Sequence, residues 1–191
     1  MTDQKDFLKR VLDALENAGI AYMLSGSLGS SFHGRPRATN DVDIVIAPSQ
    51  TQLATFLKSL GKQYYVSADA ARDAFEHNAM FNVIDVEGGW KADFVIRKNR
   101  PFSLAEFDRR RRASVMGIDV WLVSAEDVIL SKLEWSKGNA GGNQFRDALG
   151  VVVAQRGHLD HDYLNKWAKN LQLTGLLEEL LKEADKLADY E

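Results

Sequence analysis

Two aspartates separated by one residue, Asp41 and Asp43, open the apolar run DVDIVIA. Side chains alternate across a strand, so on a strand both carboxylates point one way while Val42, Ile44 and Ile46 point the other. Two close carboxylates repel and raise each other's pKa unless a cation neutralises them. A hard divalent ion with oxygen ligands meets that need. Beside phosphates the usual ion is Mg²⁺, with Mn²⁺ as its substitute. A third carboxylate improves such a site, and Asp93 in KADFVI offers one, with Phe94 and Ile96 supplying the apolar side of a second strand. If the two strands are neighbours, the three carboxylates can hold two metal ions. One activates an attacking hydroxyl and the other grips a leaving phosphate. Asp85, in VIDV, is the rival third ligand. Taken alone, an Asp-x-Asp pair is better explained by a turn into the strand with solvated carboxylates.

The stretch before the aspartates, SGSLGSSFHGRPR, adds a second kind of chemistry. Gly26 lets backbone approach a phosphate closely, and Ser27 and free N–H groups can donate to its oxygens. A short helix over 28–33 would add a favourable dipole at its N-terminus. No Gly-Lys-Ser/Thr loop of the Walker type and no G-x-G-x-x-G is present, which excludes the standard kinase and dinucleotide fingerprints. Arg35 and Arg37 sit close enough in sequence to the carboxylates to suit a phosphate role.

Elements must position these groups. Phe7, Val11, Leu12 and Leu15 lie at helical spacing within 4–17, ended by Gly19. IAYMLSG reads as a short buried strand, and DVDIVIA as a strand stopped by Pro48. Ser49 and Gly61 bracket an amphipathic helix as N-cap and C-cap. Residues 80–86 and 90–98 read as a hairpin turning at Gly88-Gly89. LAEFDRRR reads as a short helix, and ASVMGIDVWLVS as a strand pair turning at Gly117. From Ala125 on the pattern is helical, with Ser124 as N-cap and Asp127 three residues later. The expected plan is an α/β (α+β) domain over 1–124, with a mixed, twisted sheet flanked by helices, followed by a helical region over 125–191 packed on it.

Composition sets outer bounds. The chain has 191 residues, 45% hydrophobic and 27% charged, with no cysteine, so disulfides and thiolate metal sites are excluded. Net charge is −3, which argues against a general nucleic-acid coat protein. The charge is uneven. Residues 1–124 hold 16 Lys+Arg against 15 Asp+Glu, and residues 125–191 hold 8 against 12. No apolar run reaches the ~20 residues of a membrane span, and the N-terminus lacks a secretory layout. The expected compartment is the cytoplasm, with no membrane partner.

The order of these pieces resembles the nucleotidyltransferases of the DNA polymerase beta superfamily. The carriers are a strand, Gly26-Ser27, a short helix, Arg37-x-Thr39-x-Asp41-x-Asp43, and a later Asp93 strand. Lys132 in ILSKLEW, followed by Arg146-Asp147 in FRDALGV, makes the pattern similar to the toxin-like AbiEii-type branch. The resemblance covers roughly residues 20–155. It implies that Asp41, Asp43 and Asp93 hold Mg²⁺, and that Gly26, Ser27, Arg37 and Thr39 meet an NTP such as ATP. Lys132 would reach the triphosphate, and Asp147 would orient Lys132 or a substrate hydroxyl. It implies transfer of a nucleoside monophosphate to a hydroxyl of RNA, tRNA among them, or of a protein.

Other readings stand beside that one. The acceptor could be a small molecule of antibiotic type. The chain could be a non-catalytic nucleotide-binding half of a toxin–antitoxin-like pair with a cognate antitoxin protein. HLDHDY, with His158 and His161, is the only candidate for a metal phosphohydrolase, and it reads more simply as a helix start capped by Asp160. His33 reads as structural. Arg109–Arg112 read first as a solvated helix end and second as a clamp for a phosphate-rich acceptor. Trp121, Trp135 and Trp167 read as core.

Overall fold

Strand alternation decides the centre of the sheet: in residues 41–47, Val42, Ile44 and Ile46 are buried and the residues between them are not. The computed structural model describes residues 3–137 and 142–188. In chain order its elements are α1 (Gln4–Asn17), β1 (Ala21–Leu24), α2 (Gly26–His33), β2 (Asp41–Ala47), α3 (Gln50–Ser59), β3 (Tyr64–Tyr65), α4 (Ala68–His77), β4 (Met80–Asp85), β5 (Lys91–Ile96), α5 (Pro101–Asp108), β6 (Arg111–Val115), β7 (Ile118–Leu122), α6 (Ala125–Trp135), α7 (Asn143–Ala154), α8 (His161–Asn170) and α9 (Thr174–Ala188). They fall into two compact units, residues 1–25 with 39–122, and residues 26–38 with 123–191.

The first unit contains one seven-stranded mixed sheet in the order β3-β4-β5-β2-β1-β7-β6. β2 runs parallel to β5 and antiparallel to β1, and β1 runs parallel to β7. Phe94 is buried at the heart of this unit, 5.2 Å from Phe81 in a stacked pair and 5.2 Å from Phe56 of α3 in a tilted one. Phe7, Leu8, Val11, Leu12 and Leu15 bury the apolar stripe of α1. Local chemistry places the ends. Ser49 and Gln52 form a reciprocal capping box on α3, satisfying two otherwise orphaned N–H groups. The β6–β7 turn puts Met116 at φ 53° and Gly117 at φ 74°, the positive-φ geometry that matches strand twist in a two-residue hairpin.

The second unit contains α2 and α6–α9, so α2 packs with the helices and the chain passes between the units at 25/26, 38/39 and 122/123. The sequence offered a single cut after residue 124. Small residues explain why α2 belongs with the helices. A Cβ on Gly29 would meet Val123 Cγ1 at 2.7 Å, and one on Gly34 would meet Val151 N at 2.8 Å and Gly150 C at 2.9 Å. Ser124 caps α6 as expected, accepting from Asp127 N–H, and Asp160 caps α8.

Three expectations need correction. The helix before the arginine run ends at Asp108, and Arg111 and Arg112 belong to a strand. Leu60, in extended conformation, closes α3 in place of Gly61. Trp135, expected in the core, is 77% exposed, because it is the last residue of α6 and lies beyond that helix's buried stretch. Trp167 is buried as expected, and Trp121 is half-buried.

Gly34→Ala is expected to lower the melting temperature, at an overpacking cost of about 1–3 kcal/mol, because the obstructing atoms are backbone. Gly175, with nothing within 4 Å of its added Cβ, provides the contrast: Gly175→Ala leaves the melting temperature unchanged or raises it. Equal melting temperatures for both variants would contradict the packing described for α2.

Candidate active site

Register, rather than proximity in sequence, sets two carboxylates of the first unit side by side. Asp43 and Asp93 are direct partners across the parallel pair β2/β5, and Asp41 is paired with Lys91. Asp93 is only 8% exposed. Asn82, its partner on β4, donates its side-chain amide to Asp93 Oδ1. Lys91 Nζ lies 3.1 Å from Asp93 Oδ2 and 3.6 Å from Asp41 Oδ1. The hydrogen bond to Asp93, with the charges of Asp93 and Asp41 behind it, raises the Lys91 pKa above its ordinary value despite some burial. The backbone N–H of Ser25 donates to the Asp43 carbonyl at 3.0 Å, fixing the end of β1 beside this row.

A row of acidic groups spanned by an ammonium shows the physical demand that the sequence posed. Like charges on neighbouring strands need a cation, and Lys91 partly meets the need. Among the described residues no three His, Cys, Asp or Glu side chains are grouped so as to hold a metal ion. The donor chemistry nevertheless fits Mg²⁺: the groups are hard oxygens on adjacent strands, with a positive charge already drawn between two of them. Lys91 and Asn82 were not singled out from sequence. Lys91 was findable, since alternation places residue 91 on the same side of its strand as Asp93. Asn82 depended on the β4/β5 register.

Asp85, the rival third ligand, is committed elsewhere. It is buried, accepts from the backbone of Glu87 and Gly88 in the hairpin turn, and pairs with Arg10 Nη2 at 2.8 Å. Thr39 uses its hydroxyl on the backbone of Asp41, donating to the carbonyl at 3.1 Å and accepting from the N–H at 3.3 Å. It shapes the entry to β2.

In the second unit, Gly26 opens α2 at φ 55°, a left-handed conformation that glycine takes without strain. Ser27 Oγ accepts from Arg37 Nη2 at 2.8 Å, and the same nitrogen lies 3.2 Å from Asp147 Oδ2. Lys132 Nζ donates to Asp147 Oδ2 at 2.9 Å, and Lys132 is only 5% exposed. One carboxylate oxygen thus serves two cations, and Lys132 is buried rather than solvated. A cleft of about 130 Å³ beside this group is lined by Arg35, Arg37, Arg146 and Asp147, with Ser30 and Gly150.

Two solved structures are similar to this chain along most of its length. One is the solution structure of the antibiotic-resistance factor ANT(2'')-Ia, 11% identical, TM-score 0.52, covering 96% of both chains. The other is an antigenic nucleotidyltransferase-like protein from Paracoccidioides brasiliensis, 18% identical, TM-score 0.52, covering 90% of this chain and 89% of that one. The fold is that of the nucleotidyltransferases. By sequence, no family model and no curated protein matches the chain. No described helix is long and apolar enough to cross a membrane.

Within this nucleotidyltransferase fold His33 is structural. Its Nε2 donates to the Val123 carbonyl at 2.7 Å, and burial pushes its pKa below the ordinary 6.5. Since the unfolded chain accepts this proton more readily than the folded one, His33 stabilises the fold above the unfolded pKa, and that contribution is lost as pH falls below it. The melting temperature is expected to drop between about pH 7.5 and 5.5, and His33→Gln, which removes the titration, is expected to flatten that drop. An identical pH profile for the variant would show that His33 does not contribute.

Proposed function

We propose that the chain is a Mg²⁺-dependent nucleotidyltransferase that moves a nucleoside monophosphate from an NTP to an acceptor hydroxyl. The observation that carries this is the pairing of Asp43 with Asp93 across β2/β5, with Asp41 two residues before Asp43 and a cation drawn between Asp41 and Asp93. The ordered motifs and the fold likeness support it. In the reaction the acceptor oxygen bonds to the α-phosphorus, the bond to the bridging oxygen breaks, and pyrophosphate leaves.

Asp41, Asp43 and Asp93 would hold Mg²⁺, which when bound supplies charge stabilisation at the leaving phosphates and a lower pKa for the attacking hydroxyl. Asn82 holds the Asp93 carboxylate in one orientation, and Lys91 stands where a cation is needed until an ion displaces it. Gly26 and Ser27 are assigned to phosphate oxygens through N–H and hydroxyl donors. Lys132 and Arg37 are assigned to phosphate charge, and Asp147 to holding both cations in place. A lysine ammonium is a compact point charge suited to a phosphate. The AbiEii-type motifs favour an RNA or protein acceptor, with a cognate antitoxin as partner. A second reading, a small-molecule acceptor, draws on the likeness to an antibiotic-resistance factor.

Incubating the protein with α-labelled NTPs and Mg²⁺ against total tRNA, the protein itself and aminoglycosides or lincosamides is expected to label one acceptor class. Asp43→Ala is expected to lower that transfer by about 100-fold or more, in line with the several kcal/mol a metal contributes to transition-state charge. Retention of metal-dependent transfer by this variant would sink the assignment. Lys91→Met removes a competing cation, so calorimetry is expected to show tighter Mn²⁺ binding than in the wild type. Weaker binding would mean that Lys91 supports the ion rather than stands in for it.

A further inference from the structure

The arginine run that sequence placed at a helix end forms a different object. Arg109 caps α5, and Arg111 and Arg112 begin β6, which is the edge strand of the sheet. Around it three guanidiniums and two rings interleave. Arg97 lies 5.3 Å from the centroid of Phe107, and Arg110 lies 4.2 Å from the same ring. Arg110 is also 5.1 Å from the Trp121 ring, which Arg112 meets at 5.0 Å from directly across β6/β7.

Neighbouring guanidiniums share a ring, so each pair lies within about 10 Å, one Debye length at 0.1 M salt, and repels. The π faces offset part of that repulsion and fix where the cations sit. Burial first, and then Arg97, push the Arg110 pKa down, against an opposing effect of Asp108. The Nε atoms of Arg97 and Arg110 are buried and make no hydrogen bond among the described residues. The surrounding sequence strengthens the field. Between residues 97 and 112 stand Arg97, Lys98, Arg100 and Arg109–Arg112, against only Glu106 and Asp108. Glu106 is buried at 8% exposure, while Lys98, Arg111 and Arg112 are exposed. A chain of net charge −3 thus carries seven cations against two anions over these sixteen residues.

A fixed row of like charges is costly alone and favourable beside a polyanion, whose regularly spaced phosphates exchange small counterions for these guanidiniums. One isolated phosphate cannot meet cations spread along such a row. The row is also placed for the proposed chemistry. Arg97 continues the line of β5, donating its N–H to the Ile46 carbonyl at 2.8 Å, on the same side of the strand line as Asp93. Four residues separate the two, about 13 Å along the strand. Building on the transferase reading above, we propose that this cation–aromatic ladder is the docking strip for the acceptor, a polynucleotide strand held by its phosphates.

The test is equilibrium binding of a labelled single-stranded oligonucleotide of about 12 residues, RNA in one arm and DNA in another, to the full chain without NTP or metal. The wild type is expected to bind at about 50 mM salt and to weaken steeply by about 200 mM. Arg111→Ala/Arg112→Ala is expected to bind at least about tenfold more weakly and to lower the salt slope by about 1.4, two phosphate contacts on a single strand. Arg72→Ala, at an exposed arginine of α4, is expected to bind as the wild type does. Lys98→Ala/Arg111→Ala, which leaves the Trp121 stack intact, serves if the first variant folds poorly. Binding in the RNA arm alone assigns an RNA strand, and equal arms assign either polynucleotide. No binding at low salt, or variants equal to Arg72→Ala, would overturn the proposal. None of these outcomes depends on turnover, so the transfer reaction is judged separately by the Asp43 variant.

Discussion

The cost of placing carboxylates side by side on neighbouring strands governs how this molecule is built around its candidate site. Asp43 and Asp93 are register partners, so their separation follows from the strand spacing rather than from flexible side chains. Such a row is tolerable only if charge is neutralised and lone pairs are filled. Lys91 and Asn82 do part of both, which is why the buried Asp93 can stay in place. The core on the other side of the strands, Ile44, Ile46 and Phe94, is what makes the register costly to slip. A shift by one residue would bury the carboxylates and expose the core.

The second unit solves a similar problem with opposite sign. Lys132 is nearly buried, and an unpaired ammonium there would be strongly destabilising. Asp147 removes that cost and also engages Arg37, so one carboxylate organises two cations and, through Arg37, the hydroxyl of Ser27. Gly29 and Gly34 make the arrangement sterically feasible by letting α2 lie close to its neighbours in the unit.

Much of this was legible in the sequence, and for identifiable reasons. α1 and β2 carry strong periodicities, so their extents were readable, and Ser49, Ser124 and Asp160 announced helix starts through ordinary capping chemistry. β3 and α4 were not readable. One has two residues, and the other buries only Ala71 and Ala74, too little to create an apolar stripe. The arginine run misled because four cations after a helix suit its dipole equally well, and only the β6/β7 pairing shows Arg112 opposite Trp121. Asn82 was hidden, since its meaning depends on which strand lies beside it. Pairing across strands is long-range information that residue spacing does not contain.

We propose above that Asp41, Asp43 and Asp93 form a divalent-metal seat for a nucleotide. The most direct measurement is calorimetric titration of Mn²⁺ into the protein in the presence of a non-hydrolysable NTP, comparing wild type with Asp93→Asn, which keeps shape and removes charge. Saturable binding is expected for the wild type, and at least about tenfold weaker binding for a variant with near-native melting temperature, from the loss of one hard anionic ligand. Equal Mn²⁺ affinity in the two proteins would contradict it.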